Sequence, residues 1–234
     1  MRPRIRLLVT LFAAAFSLPA LAEDEAFEDR VRAFILDNPE IILEALTILS
    51  EREAKAATVA RLEAFPALFS DPPKLGEGDP AASVRIVEFF DYKCAPCKAM
   101  HPKVLAFVED HPKVRVEMRH LPILTPGSER AARFALATEA VHGTAAYRAV
   151  HDQLWQIDGP LNAAGFQRIA RALDLDFQAV EAAMEAEAID ARITYNRDAA
   201  IALEILGTPA FVTEDSVSFG STDIETMSEA WLSQ

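Results

Sequence analysis

The fold of this 234-residue chain is decided by the stretch VRIVEFFDYKCAPC, residues 84–97, which carries both of its cysteines, Cys94 and Cys97. Its first seven residues are mostly apolar, β-branched or aromatic, and they predict a central strand that is buried on both faces. Residues from Cys97 to Asp110 have the apolar spacing of a helix. Two cysteines separated by two residues, where a strand gives way to a helix, are typical of a thiol–disulfide redox pair.

A structural disulfide is the first alternative for the two cysteines. A bond between residues three apart closes a very short loop, removes little entropy from the unfolded chain and is easily reduced. A redox role uses that lability. At the start of a helix, Cys94 would meet backbone N–H groups and the positive end of the helix dipole, which lower a thiol pKa from its usual value of about 8.5. We therefore predict that Cys94 attacks and that Cys97, which lies one turn further and is more buried, resolves.

A metal site is the second alternative. Zinc prefers four nitrogen or sulfur ligands, and the sequence near the pair offers only His101 as a third. Cu(I) accepts thiolates readily, so the reduced pair Cys94 and Cys97 could hold it. Cu(I) binding therefore stays open as an alternative of another class. The sequence predicts no other metal and no organic cofactor.

The composition is that of a globular protein, with 51% hydrophobic and 25% charged residues. Its formal net charge of −13 argues against nucleic acid as a partner, because phosphate binding needs clustered lysine and arginine. Acidity of this size favours solubility. The length suits one domain with an additional piece.

The first 22 residues have the three parts of a secretory signal peptide. Arg2, Arg4 and Arg6 form a basic start, Leu7–Leu18 is apolar, and a small-x-small cleavage site ends at Ala22. A membrane anchor is the alternative, but the apolar run is shorter than the ~20 residues that a spanning helix needs. Cleavage would take the net charge from −13 to −16. We predict an exported, periplasmic protein in a compartment where disulfides form.

Residues 23–75 are predicted to form an N-terminal helical segment and a linker. Phe27, Val31 and Phe34 recur at helical spacing, and Asn38-Pro39-Glu40 ends one helix and begins the next. So short a segment has too little core to be stable alone, so its apolar face needs a partner. It packs either on its own domain or on copies of itself. We favour oligomerisation, because a proline- and glycine-rich linker separates the segment from the domain.

Residues 76–234 are predicted to form the main domain. A strand, a helix and a second strand at this spacing make a right-handed βαβ unit with a parallel pair. A helical insertion, placed at about 128–190, interrupts the domain before it ends in two strands and a helix. The predicted elements in chain order are a strand at 84–90, a helix at 97–110, a strand at 114–121, helices from 128 to about 202, strands at 210–213 and 217–219, and a helix at about 222–232.

This order resembles the α/β thioredoxin fold with the helical insertion of DsbA-like proteins. EFFDYKC, residues 88–94, resembles the approach to their active site, and RHLPIL, residues 119–124, resembles the strand end that follows. GTPAF, residues 207–211, is similar to their cis-proline loop. FILDNPEII, residues 34–42, is similar to the N-terminal domain of the ScsC branch (suppressor of copper sensitivity protein C), some members of which are trimeric disulfide isomerases.

The resemblance assigns roles that the sequence alone does not. It places Pro209 in a cis bond after Thr208 and beside Cys94, whereas Thr-Pro alone indicates only a turn. It also makes Glu88 a buried acid that relays a proton to or from Cys97. An exposed glutamate at a strand end is the alternative for Glu88.

The direction of the reaction is also inferred from the resemblance. Strongly oxidising members have Pro-His between the cysteines, whereas this chain has Ala95-Pro96, so the Cys94 thiolate lacks a nearby donor. Thr208 also resembles isomerases and reductases more than oxidases. We predict an oligomeric disulfide isomerase or reductase, a trimer by resemblance, that acts on client proteins and is kept reduced by a membrane thiol reductase of the DsbD or ScsB type. A DsbA-like dithiol oxidase is the alternative.

Overall fold

The structure is a computed structural model that describes residues 19–70, 75–220 and 224–232. The predicted signal peptide lies outside the described residues, apart from its last four. The elements are α1 (Pro19–Asp37), α2 (Glu40–Leu62), α3 (Ala67–Ser70), β1 (Gly76–Glu77), β2 (Val84–Phe90), α4 (Ala95–Asp110), β3 (Val114–His120), α5 (Pro126–His142), α6 (Thr144–Trp155), α7 (Ala163–Ala172), α8 (Phe177–Ala183), α9 (Glu187–Ala202), β4 (Ala210–Val212), β5 (Val217–Phe219) and α10 (Ile224–Leu232).

The five strands form one mixed sheet in the order β1-β3-β2-β4-β5. β2 is central and parallel to β3, with Val84 opposite Val114 and Phe90 opposite His120. All other pairs are antiparallel. The predicted central strand and the predicted parallel pair are therefore confirmed.

Both faces of the sheet are covered, because β2 is apolar on both sides. Ile86 and Phe90 point into one core cluster together with residues of α4, α5 and α6. Val87 and Phe89 point into a second cluster with residues of α9. The sheet is therefore sandwiched between helical layers, and the end of β2 that leads to Cys94 lies between them.

The chain divides into two compact units, with the division between Arg52 and Glu53. This lies upstream of the boundary that we placed at residue 76 from the sequence. The difference arises because Leu62 and Leu68 are buried in the core of the second unit.

The main domain begins with a short strand that the sequence did not predict. β1 pairs antiparallel with β3 at the edge of the sheet, with Gly76 opposite Glu117. Arg148 fastens it, because one guanidinium nitrogen donates to the Gly76 carbonyl and another contacts Glu77 Oε2 at 3.0 Å. A two-residue strand has no periodicity to reveal it in the sequence.

Candidate active site

The two cysteines lie where β2 has ended and α4 begins. Cys94 has extended backbone angles (φ −75°, ψ 111°) and is the N-cap of α4, and its sulfur accepts a hydrogen bond from the Cys97 N–H at 3.3 Å. Pro96 occupies the first turn, where a missing N–H removes no intrahelical bond. The sequence thus places Cys94 Sγ against the N-terminal end of α4.

The environment of Cys94 favours its thiolate. The pKa of Cys94 is lowered to about 6, chiefly by a hydrogen bond from the Cys97 thiol and also by the Cys97 N–H, against the opposing effect of burial. In the thiol form, Cys94 Sγ donates to the Thr208 carbonyl at 3.1 Å. The peptide bond between Thr208 and Pro209 is cis. The loop that the resemblance placed beside Cys94 is therefore in contact with it.

The environment of Cys97 has the opposite effect. Its pKa is raised far above its usual range, because its thiol is held in the hydrogen bond to Cys94 and is buried. Cys97 is completely buried, whereas Cys94 is 5% exposed. The pair therefore contains one thiol that ionises readily and one that keeps its proton.

Glu88 is buried, as the first of the two sequence interpretations proposed. It lies in the middle of β2, opposite Met118 on one side and Phe211 on the other, and is 0% exposed. Among the described residues, neither carboxylate oxygen has a hydrogen-bond partner. Burial, and to a lesser extent the charge of the neighbouring Cys94, raises the pKa of Glu88 to about 8. Because side chains alternate along a strand, Glu88 shares the face of Ile86, which is the face that α4 covers.

Asp91 fixes the turn between β2 and α4. Its Oδ1 accepts the Lys93 N–H at 2.7 Å, and its Oδ2 accepts the N–H groups of Ile123 and Leu124 at 3.0 and 3.1 Å. Its own carbonyl accepts the Cys94 N–H at 3.0 Å. Sequence reasoning did not select Asp91 as a site residue. An aspartate in a strand-to-helix turn was the available signal, because Asp side chains bond the backbone two residues on.

A cluster of buried histidines and aromatic rings surrounds Tyr92. Trp155 Nε1 donates to His151 Nε2 at 2.8 Å, so the proton of neutral His151 is on Nδ1, which is 2.7 Å from the Tyr92 hydroxyl. The Tyr92 hydroxyl also lies 3.4 Å from Nε2 of His120. Burial lowers the pKa of His120 to about 3 and that of His151 well below its usual range. The cluster therefore consists of neutral rings.

His101 belongs to the same cluster and is buried. It lies one turn after Cys97 on α4, and its ring stacks on that of Trp155 with centroids 5.1 Å apart. Burial lowers the pKa of His101 to about 4. Tyr147 and Trp155 of the helical insertion are buried too, and both contact this cluster.

The structure brings together the predicted Cys94, Cys97 and Thr208-Pro209, and it places Glu88 beneath α4. The further residues Asp91, Tyr92, His120 and His151 were not selected from the sequence. His151 gives no sequence signal, because it comes from α6, far from the cysteines in the chain.

The described residues contain no group of three or more His, Cys, Asp or Glu side chains arranged to hold a metal ion. Within residues 19–70, 75–220 and 224–232, no helix has the length and apolar character needed to cross a membrane.

This fold and this site define a thioredoxin-fold protein with a Cys-x-x-Cys pair at the start of a helix. The chain belongs to the DSBA-like thioredoxin domain family, whose model matches residues 85–231. Residues 23–56 match the copper resistance protein ScsC N-terminal domain. Both parts of the resemblance seen in the sequence are therefore confirmed.

Solved structures share the fold. A thioredoxin-like oxidoreductase from Silicibacter pomeroyi DSS-3 is 37% identical, with a TM-score of 0.65 over 71% of this chain and 94% of that one. Proteus mirabilis ScsC in a transitional conformation is 25% identical, with a TM-score of 0.65 over 92% of this chain and 98% of that one.

A curated relative has a different length. The Na(+)/H(+) antiporter NhaA 3 of Salinispora tropica is 33% identical over 156 residues, which are 67% of this chain and 24% of that protein. The chain thus spans about a quarter of the length of the relative it matches.

Proposed function

We propose that the protein is a thiol–disulfide oxidoreductase that acts on protein disulfides. The observation that carries the proposal is the opposite environment of the two thiols, since the pKa of Cys94 is lowered to about 6 while that of Cys97 is raised. A thiolate is the nucleophile in disulfide exchange, and its partner must not compete for the client. Membership in the DSBA-like family supports the same activity.

The reaction follows from this asymmetry. The Cys94 thiolate attacks one sulfur of a client disulfide, the S–S bond breaks, and the client leaves with one thiolate, which takes up a proton. Cys97 then loses its proton and attacks Cys94 Sγ, which releases the second client thiol and leaves the Cys94–Cys97 disulfide. Two electrons have passed from the protein to the client. If instead a different thiolate of the client attacks the client sulfur of the mixed disulfide, a new client disulfide forms and Cys94 leaves as the thiolate. The client is then isomerised and no net electrons are transferred.

Glu88 is proposed as the group that moves the proton of Cys97. Its pKa of about 8 lets it both accept and donate a proton near neutral pH. It has no hydrogen-bond partner among the described residues to hold it in one state. Resolution requires Cys97 to lose its proton, and the position of Glu88 on the face of β2 that α4 covers supports this role.

We propose that the protein works as an isomerase or reductase. Between the cysteines stand Ala95 and Pro96, neither of which donates a hydrogen bond to Cys94 from its side chain. The carboxylate of Asp91 raises the pKa of Cys94, which weakens stabilisation of the reduced form. Such a pair must be kept reduced, so a membrane thiol reductase of the DsbD or ScsB type is the proposed partner in the periplasm. A DsbA-like dithiol oxidase is the opposing possibility.

Oligomerisation through the N-terminal helices is part of the proposal. Phe27, Val31 and Phe34 lie four and three residues apart on α1 and are 58%, 40% and 58% exposed in the single chain. Such a spacing forms an apolar stripe, which is stabilised when helices pack together. The match of residues 23–56 to the ScsC N-terminal domain supports an oligomer, proposed to be a trimer.

A pair of assays on the full chain tests the function. The reduced protein is expected to restore activity to a scrambled-disulfide substrate, and Cys94→Ser is expected to abolish this. Ser216→Ala, which leaves both thiols in place, is the control. If the wild-type protein only oxidises a reduced substrate and never reshuffles a scrambled one, the oxidase replaces the isomerase.

Copper(I) binding is a second candidate, favoured by one observation. The N-terminal match is to a domain described as part of a copper resistance protein. Two thiolates from Cys94 and Cys97 are soft ligands that suit Cu(I). Titration of the reduced protein with Cu(I) is expected to show one ion per chain, lost in Cys97→Ala, if the protein is a copper binder. Absence of stoichiometric binding removes this candidate.

A further inference from the structure

We propose that Asp91 is a positioning residue that fixes the loop carrying Cys94 and the loop following β3 in one arrangement. This rests on the proposed role of Cys94 as the nucleophile. Asp91 neither contacts a client in this role nor exchanges a proton. It acts through the backbone of the two loops.

The geometry shows why a side chain is needed at this point. The parallel pairing of β2 and β3 ends at the hydrogen bond from the Leu121 N–H to the Phe90 carbonyl, at 2.8 Å. Beyond it the two segments diverge, since the one after β2 leads to α4 and the one after β3 leads to α5. The carboxylate of Asp91 bridges the two segments. Oδ1 accepts the N–H of Lys93 after β2, and Oδ2 accepts the N–H groups of Ile123 and Leu124 after β3.

The chemistry of the three bonds selects a carboxylate. All three donors are backbone N–H groups, and an ionised carboxylate accepts on both oxygens and donates on neither. Asparagine presents an oxygen on one side and an NH₂ group on the other. The backbone N–H groups of one of the two loops would then face the NH₂ group, which cannot accept a hydrogen bond. Asparagine therefore cannot replace Asp91 without releasing either Lys93 or the pair Ile123 and Leu124.

Asp91 does not promote the ionisation of Cys94. Asp91 is 2% exposed, and its charge raises the pKa of Cys94, against the net lowering to about 6. A buried negative charge beside a thiolate is unfavourable unless hydrogen bonds compensate it. The three backbone bonds provide that compensation. Asp91 therefore holds the loop that carries Cys94, although its charge disfavours the Cys94 thiolate.

The test compares Asp91→Asn with wild type in the full chain. Removal of the charge is expected to lower the pKa of Cys94, because the charge of Asp91 raises it; the pKa is measured from the pH dependence of the alkylation rate. Amide hydrogen exchange is expected to accelerate about tenfold at either Lys93 or the pair Ile123 and Leu124, since a lost hydrogen bond is worth up to about that factor. A side chain that only contributes to stability would not lower the pKa of Cys94.

Asp79→Asn is the matched control, because Asp79 also accepts a backbone N–H two residues on, from Ala81 at 2.8 Å, but is exposed. It should change neither measurement. Wild-type exchange at all three amides in Asp91→Asn overturns the proposal. If Asp91→Asn does not fold, exchange in the wild-type chain decides: unprotected Ile123 and Leu124 amides overturn the proposal, and protected ones support it. Neither readout uses a client, so failure of the proposed enzymatic function would be seen separately.

Discussion

At the scale of single residues, the opposite environments of the two thiols predict which one reacts first. Cys97→Ser should accumulate a mixed disulfide between Cys94 and a client, because the resolving thiol is missing. Cys94→Ser should accumulate none, since Cys97 is completely buried and its pKa is raised. The measurement is the mass of each variant after incubation with a disulfide-containing client under non-reducing conditions. Trapping of the client by Cys94→Ser would assign the attack to Cys97 and contradict the proposed order.

The raised pKa of Glu88 predicts that the stability of the fold depends on pH. Its pKa rises from 4.5 in the unfolded chain to about 8 in the fold, so between these values the folded state binds more protons. The contribution of Glu88 to the free energy of unfolding therefore falls as pH rises from 4.5 to 8. Glu88→Gln removes this dependence. The free energy of unfolding of the variant minus that of wild type should be on the order of 3 kcal/mol larger at pH 7 than at pH 4.5.

Urea unfolding of Glu88→Gln at pH 4.5, 7 and 8 checks this, with Glu181→Gln on the exposed surface of α8 as the control. A constant difference between variant and wild type over this range would mean that Glu88 does not titrate as expected. In the same variant, alkylation of Cys94 should persist while release of the client slows, because only the proton of Cys97 is affected.

At the scale of secondary-structure elements, α4 and α6 meet through neutral histidines, which predicts a loss of stability in acid. The pKa of His101 falls from 6.5 to about 4 on folding, so below pH 6.5 the unfolded chain binds more protons. The free energy of unfolding should therefore fall as pH falls from 6.5 to 4. His101→Phe keeps a ring to stack on Trp155 and removes the titration. The free energy of unfolding of this variant minus that of wild type should be about 2 kcal/mol larger at pH 5 than at pH 8.

Thermal or urea unfolding at the two pH values measures this gain. His142→Phe makes the same substitution at the exposed C-terminal end of α5 and serves as the control. An equal effect of His101→Phe at pH 5 and pH 8 would contradict the expectation.

The same elements show how far the sequence could predict the fold. β2, α4 and β3 were predictable because each is a long segment with a strong apolar pattern, and the Cys94–Cys97 pair identified the junction between β2 and α4. β1 was not, since it lies in a proline- and glycine-rich stretch and depends on contacts with β3 and Arg148. The burial of Glu88 stayed open, because a single strand does not reveal what covers each face.

The histidine cluster could not be predicted for a related reason. Its members come from the end of β3, from α4 and from α6, and no spacing in the sequence joins them. Asp91 differs, because its bond to Lys93 is local and its bonds to Ile123 and Leu124 are not. The local part was accessible to sequence reasoning, and the bridging part required the fold.

The edge strand β1 gives a prediction about packing. A Cβ on Gly76 would lie 2.6 Å from the Val116 carbonyl oxygen and 2.8 Å from a guanidinium nitrogen of Arg115. Gly76→Ala should therefore lower the free energy of unfolding by about 1–3 kcal/mol. Gly159→Ala is the control, because nothing lies within 4 Å of its Cβ position. Equal stabilities of the two variants in chemical unfolding would show that β1 can move away without cost.

At the scale of the whole molecule, the exposed apolar faces of the N-terminal helices predict the state of assembly. On α2, Ile42, Leu46 and Leu49 lie four and three residues apart and are 45%, 56% and 50% exposed in the single chain. This repeats the arrangement of Phe27, Val31 and Phe34 on α1. Two such stripes in the residues matched by the ScsC N-terminal domain are the surface on which copies of the chain are proposed to pack.

Leu46→Glu combined with Leu49→Glu tests this in the full chain. Light scattering should give a multimer for wild type, proposed as a trimer, and a monomer for the variant, because burial of two unpaired charges is unfavourable. Reshuffling of a scrambled client should fall by about tenfold, since several active sites around one client act by raising the local concentration of thiols. Reduction of a small disulfide should change little, because it needs one Cys94 only.

The control adds the same two charges to polar positions of the same helix, as Thr47→Glu with Ser50→Glu, both exposed. It separates the loss of an apolar contact from a general charge effect, which matters for a chain whose net charge is −13. Repulsion between such chains is screened by salt, so the multimer should also strengthen as ionic strength rises. A wild-type monomer at every salt concentration would leave the stripes without the proposed partner. A monomeric variant that still reshuffles its client would show that the isomerase needs no assembly.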